Sequence, residues 1–246
     1  MITWLKIGSE KKIADYKAFL FDFDDTLVDY DLNENNALRQ LSEDLNIPTD
    51  HYLGFRERYQ EINKSHWKAY REKKISASEI GPSRFKVLSQ YFAQITNPES
   101  TNKTYLKYFC KYVSAYKGSI EFLKLLQEHG KKSFILTNGF TQTQRQRIEV
   151  SGFTHLIDGF LTSQMVGIAK PDPKIILDAL EILEVGKDEV LFVGDKIDSD
   201  LKAAHFASID SFHITGTPRE YDKFSPIGYS SHISFLYEHY QSLTSQ

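Results

Sequence analysis

Two hydrophobic periodicities divide the chain. Between residues 31 and 117, apolar positions recur at helical spacing: Leu38, Leu41 and Leu45, then Tyr52, Phe55, Tyr59, Ile62 and Tyr70, then Phe85, Leu88 and Phe92, then Tyr105, Phe109, Val113 and Tyr116. Four amphipathic helices are predicted, enough for a small bundle. Asn46 and Pro48 should end the first helix and Asp50 should cap the second. Residues 95–103, with Pro98 among Thr, Asn and Ser, read as a connecting loop.

Outside that segment, short apolar runs at 18–21, 133–136, 160–161, 190–193 and 211–214 alternate with helical patterns at 119–129, 141–151, 173–184 and 200–206. Gly130 and Gly152 stand where C-terminal helix caps belong. Alternating strands and helices imply an α/β fold, a parallel sheet covered on both faces. Such sheets bind ligands beyond the carboxyl ends of their strands, so the residues that follow each run decide the function. No internal repeat or low-complexity tract is present.

Composition narrows the classes. A length of 246 residues with 41% hydrophobic residues supports a full core. The single cysteine, Cys110, forbids an intrachain disulfide and points to a reducing compartment, the cytoplasm. No apolar run approaches the roughly 18 residues of a membrane span. The net charge of −3 does not suit a dedicated nucleic-acid binder. That charge is uneven: residues 31–117 hold 14 Lys and Arg against 10 Asp and Glu, so a basic segment interrupts an acidic chain. The same segment has only Gly54 and Gly81 of the 13 glycines, as a helical insertion would.

The strand ends carry the chemistry. Asp22-Phe23-Asp24-Asp25-Thr26 follows the first run, Thr137-Asn138-Gly139 the second, Lys170-Pro171 the third, and Gly194-Asp195 the fourth, with Asp198 and Asp200 close behind. Each has an ordinary structural use as a turn, cap or solvated residue. Together they ask for more. Carboxylates set among Phe19, Leu20, Phe21, Phe23, Leu27 and Val28 are costly without a compensating cation. With only oxygen donors at hand, the cation should be hard, and Mg2+ suits few ligands better than Ca2+. A hydroxyl, backbone N–H groups and a lysine suit a phosphoryl group.

In this order after predicted strands, Asp22-x-Asp24-x-Thr26, Thr137-Asn138, Lys170-Pro171 and Gly194-Asp195-x4-Asp200 resemble the haloacid dehalogenase-like hydrolase superfamily over essentially the whole chain. The resemblance implies a Rossmann-like, doubly wound parallel sheet core at 1–30 and 118–246, with an all-helical cap subdomain inserted at 31–117. It also implies Asp22 as nucleophile, Asp24 as acid and base, and Lys170 as a further catalytic and phosphate-binding residue beside Thr137 and Asn138. Asp22, the Asp24 main-chain carbonyl and Asp195 would hold Mg2+, with Asp198, Asp200 and Thr26 around them. Asp24 separates phosphatases from dehalogenases, because a departing halide needs no proton.

Two stretches, Leu136 to Thr141 running on through Gln144, Arg147 and Glu149 to Ser151-Gly152-Phe153, and Val166 to Pro171, are similar to bacterial pyrimidine and nucleoside 5'-monophosphatases. Phosphoglycolate and sugar-phosphate phosphatases compete. A phospho-acceptor signalling module also sets an acidic pair after its first strand, but is about half this length and lacks an insertion. The implied partner is a small phosphate ester, with no nucleic acid or membrane, acted on by a monomer or weak homodimer. Lys196 departs from the small hydroxyl residue common in relatives. Tyr52, Tyr59, Trp67 and Tyr70 could stack on a base or pack between cap helices. The cap should rock on linkers near residues 30–35 and 116–119. The residues before Tyr16 have no assigned role.

Overall fold

Every residue of the run Ala18–Phe21 is apolar, and in the computed structural model all four are fully buried. The structure describes residues 1–5, 11–72, 74–217, 220–221 and 223–245. Two compact units emerge, Met1–Tyr30 with Ser114–Gln246, and Asp31–Val113.

The first unit is a seven-stranded sheet with flanking helices. Along the chain come β1 (Ile2–Trp4), β2 (Ala18–Phe21), then, after the second unit, α5 (Ser119–Glu128), β3 (Lys132–Thr137), α6 (Thr141–Val150), β4 (Gly159–Thr162), α7 (Ser163–Val166), α8 (Lys174–Leu183), β5 (Val190–Gly194), α9 (Lys202–Ala207), β6 (Asp210–Ile214), β7 (Gly228–Ser230) and α10 (Ile233–Thr244). Strand order is β1-β7-β6-β5-β2-β3-β4, parallel throughout except for β1 against β7. This is the α/β architecture expected, with β2 central between β3 and β5: Phe21 pairs with Ile135 on one side and Val193 on the other.

The two-residue alternation of a strand sorts its side chains between the faces. Ala18 and Leu20 join Ile175, Ile176 and Ala179 of α8 and Ala203, Ala204 and Ala207 of α9 in one buried cluster. Phe19 and Phe21 point the other way, their rings 5.7 and 5.9 Å from Phe122 of α5, and Phe19 is 5.9 Å from Tyr240 of α10. Both layers thus hold β2 and fix where its carboxyl end lies.

The second unit is helical: α1 (Tyr30–Asp44, its first residue on the border), α2 (Tyr52–Arg71), α3 (Ala77–Leu88) and α4 (Pro98–Lys111). Tyr59, Phe85 and Tyr105 pack ring against ring at 5.2–5.6 Å. Arg84 lies over all three of these rings and donates to Asn63 Oδ1 at 2.7 Å, while Asn63 donates to the buried Glu34. Tyr59 is therefore core, as is Tyr52, whose hydroxyl donates to Asn35. Trp67 and Tyr70 are half-buried and meet edge to face at 5.9 Å.

Several boundaries differ from the sequence reading. The stretch 95–103 is not a loop, because α4 begins at Pro98 and Asn97 accepts a hydrogen bond from the Ser100 N–H at 3.0 Å. Proline at a first helical position loses nothing, so Asn97-Pro98 is a start signal. Asp50 caps nothing, since a 3-10 turn over Thr49–His51 leads into α2. Phe92, Val113 and Tyr116 fall outside the helices, and residues 30–35 lie in α1 instead of a linker. The N-terminal residues without an assigned role supply β1, an antiparallel edge strand. Among the described residues no helix is long and apolar enough to cross a membrane.

Candidate active site

The carboxyl ends of β2, β3 and β5 converge. The Asp22 N–H donates to Val193 O at 2.9 Å, extending the β2–β5 ladder by one bond and fixing the side chain just past it. Asp22 is buried, and Lys170 Nζ donates to its Oδ1 at 2.6 Å. The same ammonium reaches Asp200 Oδ1 at 2.8 Å and Leu136 O at 2.8 Å, so all three of its donors are used. Asn138 braces this lysine from behind: its carboxamide accepts from the Lys170 N–H at 2.9 Å and donates to the Lys170 carbonyl at 3.1 Å. Its side chain is thereby committed to the Lys170 backbone.

Asp22, Asp195 and Asp200 bring ligand oxygens within 4.8 Å of one another. Burial, then the charges of Asp200 and Asp195, push Asp22 well above the usual carboxylate range despite Lys170. Burial pushes Asp195 up to about 7. Asp200 goes the other way: burial opposes its charge, but Lys170 and the Lys196 N–H hold it below its ordinary value. Its Oδ2 accepts that N–H at 3.0 Å and its Oδ1 also accepts from the Ser199 hydroxyl at 3.2 Å, which leaves Asp200 committed to internal donors on both oxygens. Gly194 makes room for it, since a Cβ there would meet Asp200 Cβ at 2.6 Å. Asp195 differs, because its Oδ1 is buried with no hydrogen-bond partner among the described residues. A set of close carboxylates with one oxygen unsatisfied fits a hard divalent cation.

Lys196 complicates that set. Its ammonium stands 3.2 Å from Asp195 Oδ2 and 3.6 Å from Asp25 Oδ2. Burial disfavours its charge, but Asp195, Asp22, Asp25 and Asp200 together outweigh burial and push it upward. Lys196 is thus a cation already present at the mouth of the acidic cluster.

Two residues beyond Asp22, Asp24 meets a donor network. Asp24 Oδ1 accepts from Arg147 at 2.6 Å and Oδ2 from Gln144 at 2.9 Å. Gln144 Nε2 also donates to Thr137 Oγ1 at 2.8 Å, and the Gly139 N–H donates to the same oxygen at 3.1 Å. A hydroxyl has two lone pairs and one proton; with both lone pairs filled, Thr137 has only its proton to give. It is built to meet an acceptor such as a phosphoryl oxygen. Gly139 permits the arrangement, because a Cβ there would come within 2.5 Å of Gln144 Nε2.

The structure thus brings together Asp22, Asp24, Thr137, Asn138, Lys170, Asp195 and Asp200. Thr26 is fully buried in the turn after Asp24, closed by Asp25 N–H to Val28 O at 2.8 Å. Asp198 is not brought in: its side chain is 89% exposed and pairs with Lys202. Of the six aspartates that follow the first and fourth runs, Asp22, Asp24, Asp25, Asp195, Asp198 and Asp200, this one is lost to the site because it lies on the outer side of the turn Ile197–Leu201. Gln144 and Arg147 gain roles that no single motif announced.

A family model described as haloacid dehalogenase-like hydrolase matches residues 16–207. The pyrimidine 5'-nucleotidase PynA of Streptococcus pneumoniae is 29% identical over 198 residues, 80% of this chain and 82% of its own. The glyceraldehyde 3-phosphate phosphatase of Methanopyrus kandleri is 28% identical over 208 residues, 80% of this chain and 83% of its own. The crystal structure of the HAD-hydrolase YfnB of Bacillus subtilis, bound to magnesium, aligns with a TM-score of 0.78 at 26% identity, covering 91% of this chain and 97% of that one.

Proposed function

The chain belongs to the haloacid dehalogenase-like hydrolases, and from that premise we propose that it is a Mg2+-dependent phosphomonoester hydrolase acting on nucleoside 5'-monophosphates in the cytoplasm. The observation that carries this reading is the setting of Asp22, buried in a cluster with Asp195 and Asp200 and bonded to the Lys170 ammonium at 2.6 Å. A phosphoryl group entering there would find a nucleophile, a cation site and donors for its oxygens.

Asp22 attacks phosphorus and forms an aspartyl-phosphate as the ester P–O bond breaks. Asp24 gives the leaving oxygen its proton and later takes one from the water that hydrolyses the intermediate. Thr137 and the Asn138 N–H hold the phosphoryl oxygens, and Lys170 joins them by turning the N–H it gives to Asp22 toward the incoming group. Asp22, Asp195 and the Asp24 carbonyl would hold Mg2+, which when bound would supply charge neutralisation to the phosphoryl group. Asp200, with both oxygens bonded to lysine donors, holds Lys170 in place.

The helical unit Asp31–Val113 is the cap that recognises the leaving alcohol, since the strand-end residues recognise only phosphate. The nucleotide preference rests on the Thr137-Asn138-Gly139 stretch with Gln144 and Arg147, and on similarity to PynA. Purified protein assayed with nucleoside 5'-monophosphates, glyceraldehyde 3-phosphate, phosphoglycolate and sugar phosphates should release phosphate fastest from the nucleotides, and none in EDTA. Faster turnover of a triose or sugar phosphate would transfer the assignment to that class.

Lys196 yields a metal prediction. Mg2+ must displace or tolerate its ammonium, so Lys196→Ser is expected to tighten Mg2+ binding about threefold, with a smaller gain at high salt because the lysine is exposed. Titration calorimetry reads the affinity directly; an unchanged constant at low salt would mean that the ammonium does not compete.

A further inference from the structure

Resting on the phosphatase reading above, we infer that Gln144 and Arg147 are positioning residues that aim the Asp24 carboxyl group at the leaving oxygen of the substrate. Arg147 is the largest of the fully buried side chains, and its guanidinium lies 5.1 Å from the Phe23 ring. Nη1 reaches Asp24 Oδ1 at 2.6 Å and Gln144 Oε1 at 2.9 Å. Gln144 completes the clamp from the same helix, its Nε2 bridging Asp24 Oδ2 and Thr137 Oγ1. The amide orientation is unambiguous, since only nitrogen can serve two acceptors while the oxygen accepts from Arg147.

A buried arginine is a poor device for stability alone, because an apolar side chain of similar volume commonly does as well. Its partner explains it. Asp24 is partly exposed, and left to itself its short side chain would sample several rotamers. Proton transfer needs one of them, held to within roughly 0.5 Å. The clamp places one donor on each carboxyl oxygen and so fixes the direction in which Asp24 meets the leaving oxygen. The same Nε2 also reaches Thr137, which keeps the Gly139 N–H as its second donor when Gln144 is replaced, so the acid depends on the clamp more than the phosphate site does.

The inference predicts selective damage. Phosphoenzyme formation from an alkyl ester needs a proton on the leaving oxygen, whereas p-nitrophenolate leaves without one. In Arg147→Met and Gln144→Leu, kcat/KM for uridine 5'-monophosphate is expected to fall about 100-fold, that for p-nitrophenyl phosphate less than about fivefold. Arg147→Lys should recover part of the loss. The ratio of the two constants is taken on one preparation, so it is independent of the folded fraction, and Gln144→Leu carries the test if Arg147→Met does not fold. An equal fall on both esters in a soluble variant would overturn the inference and leave a structural role. A wild-type protein that hydrolyses neither ester would instead overturn the phosphatase reading itself.

Discussion

Asp22→Asn is expected to lower kcat on the order of 10^4-fold or more while leaving the protein folded. Asn occupies the same volume but cannot form the acyl-phosphate bond. The fold should tolerate it well, because neutralising Asp22 removes a buried charge that burial, Asp200 and Asp195 all oppose. Lys170 keeps Asp200 and the Leu136 carbonyl as partners. Denaturant unfolding should therefore show stability equal to or above wild type. Phosphate release at even a hundredth of the wild-type rate, with acid-quench trapping finding phosphate on another residue, would remove Asp22 from the nucleophile role.

Lys170→Met should be the most destabilising substitution in the site. The ammonium lies within 2.8 Å of both Asp22 and Asp200 while itself 2% exposed. Burial opposes its charge, but the two carboxylates outweigh burial and hold it above the ordinary lysine value. Taking away one side of a buried ionic cluster leaves the other uncompensated, at about 3–5 kcal/mol. In EDTA, that corresponds to a Tm roughly 10 °C lower. Mg2+ should restore part of it, since a divalent cation among the same carboxylates replaces the lost positive charge. Phosphatase kcat/KM should fall at least about 100-fold even with Mg2+, because a donor to the transferring group is gone. A variant with unchanged Tm in EDTA would mean that the carboxylates are relieved by protonation instead.

The legible part of the site was the part written locally. Asp22, Thr137, Lys170 and Asp195 each stand at the end of a strand or in the segment beyond it, and a parallel sheet gathers such positions at one edge. What sequence could not supply was direction. Asp198 and Asp200 are two residues apart, yet one is 89% exposed and the other buried against Lys170, a difference set by the turn geometry of Ile197–Leu201. The clamp joins Arg147 to a carboxylate 123 residues away, a pairing that no periodicity encodes. The reciprocal bonds of Asn138 with the Lys170 backbone are hidden in the same way.

The fold was legible where elements were long. The strands of the central sheet and the four inserted helices followed from period and length. β1 and β7 have three residues each, too few for a period to register. α10 was readable in principle, because Ile233, Leu236 and Tyr240 follow helical spacing, although its sequence carries no strand-end motif to draw attention. At α4, the same Pro98 that suggested a breaker marks the first turn.

The split first unit has a consequence for how the chain folds. Its central pairing, β2 with β3, must close a loop of roughly 110 residues, a long-range step that slows folding. At the base of that loop Asp29 N–H meets Ser114 O at 2.9 Å, and Tyr116 N–H meets Leu27 O at 2.9 Å. An inserted helical unit that forms first from local contacts would collapse most of the loop before the sheet assembles. The order of events expected in pulsed hydrogen exchange is therefore protection of α1–α4 amides first, and of Phe19 and Phe21 later. Assembly from the middle of the chain outward would let a discontinuous unit fold at nearly the entropic cost of a continuous one.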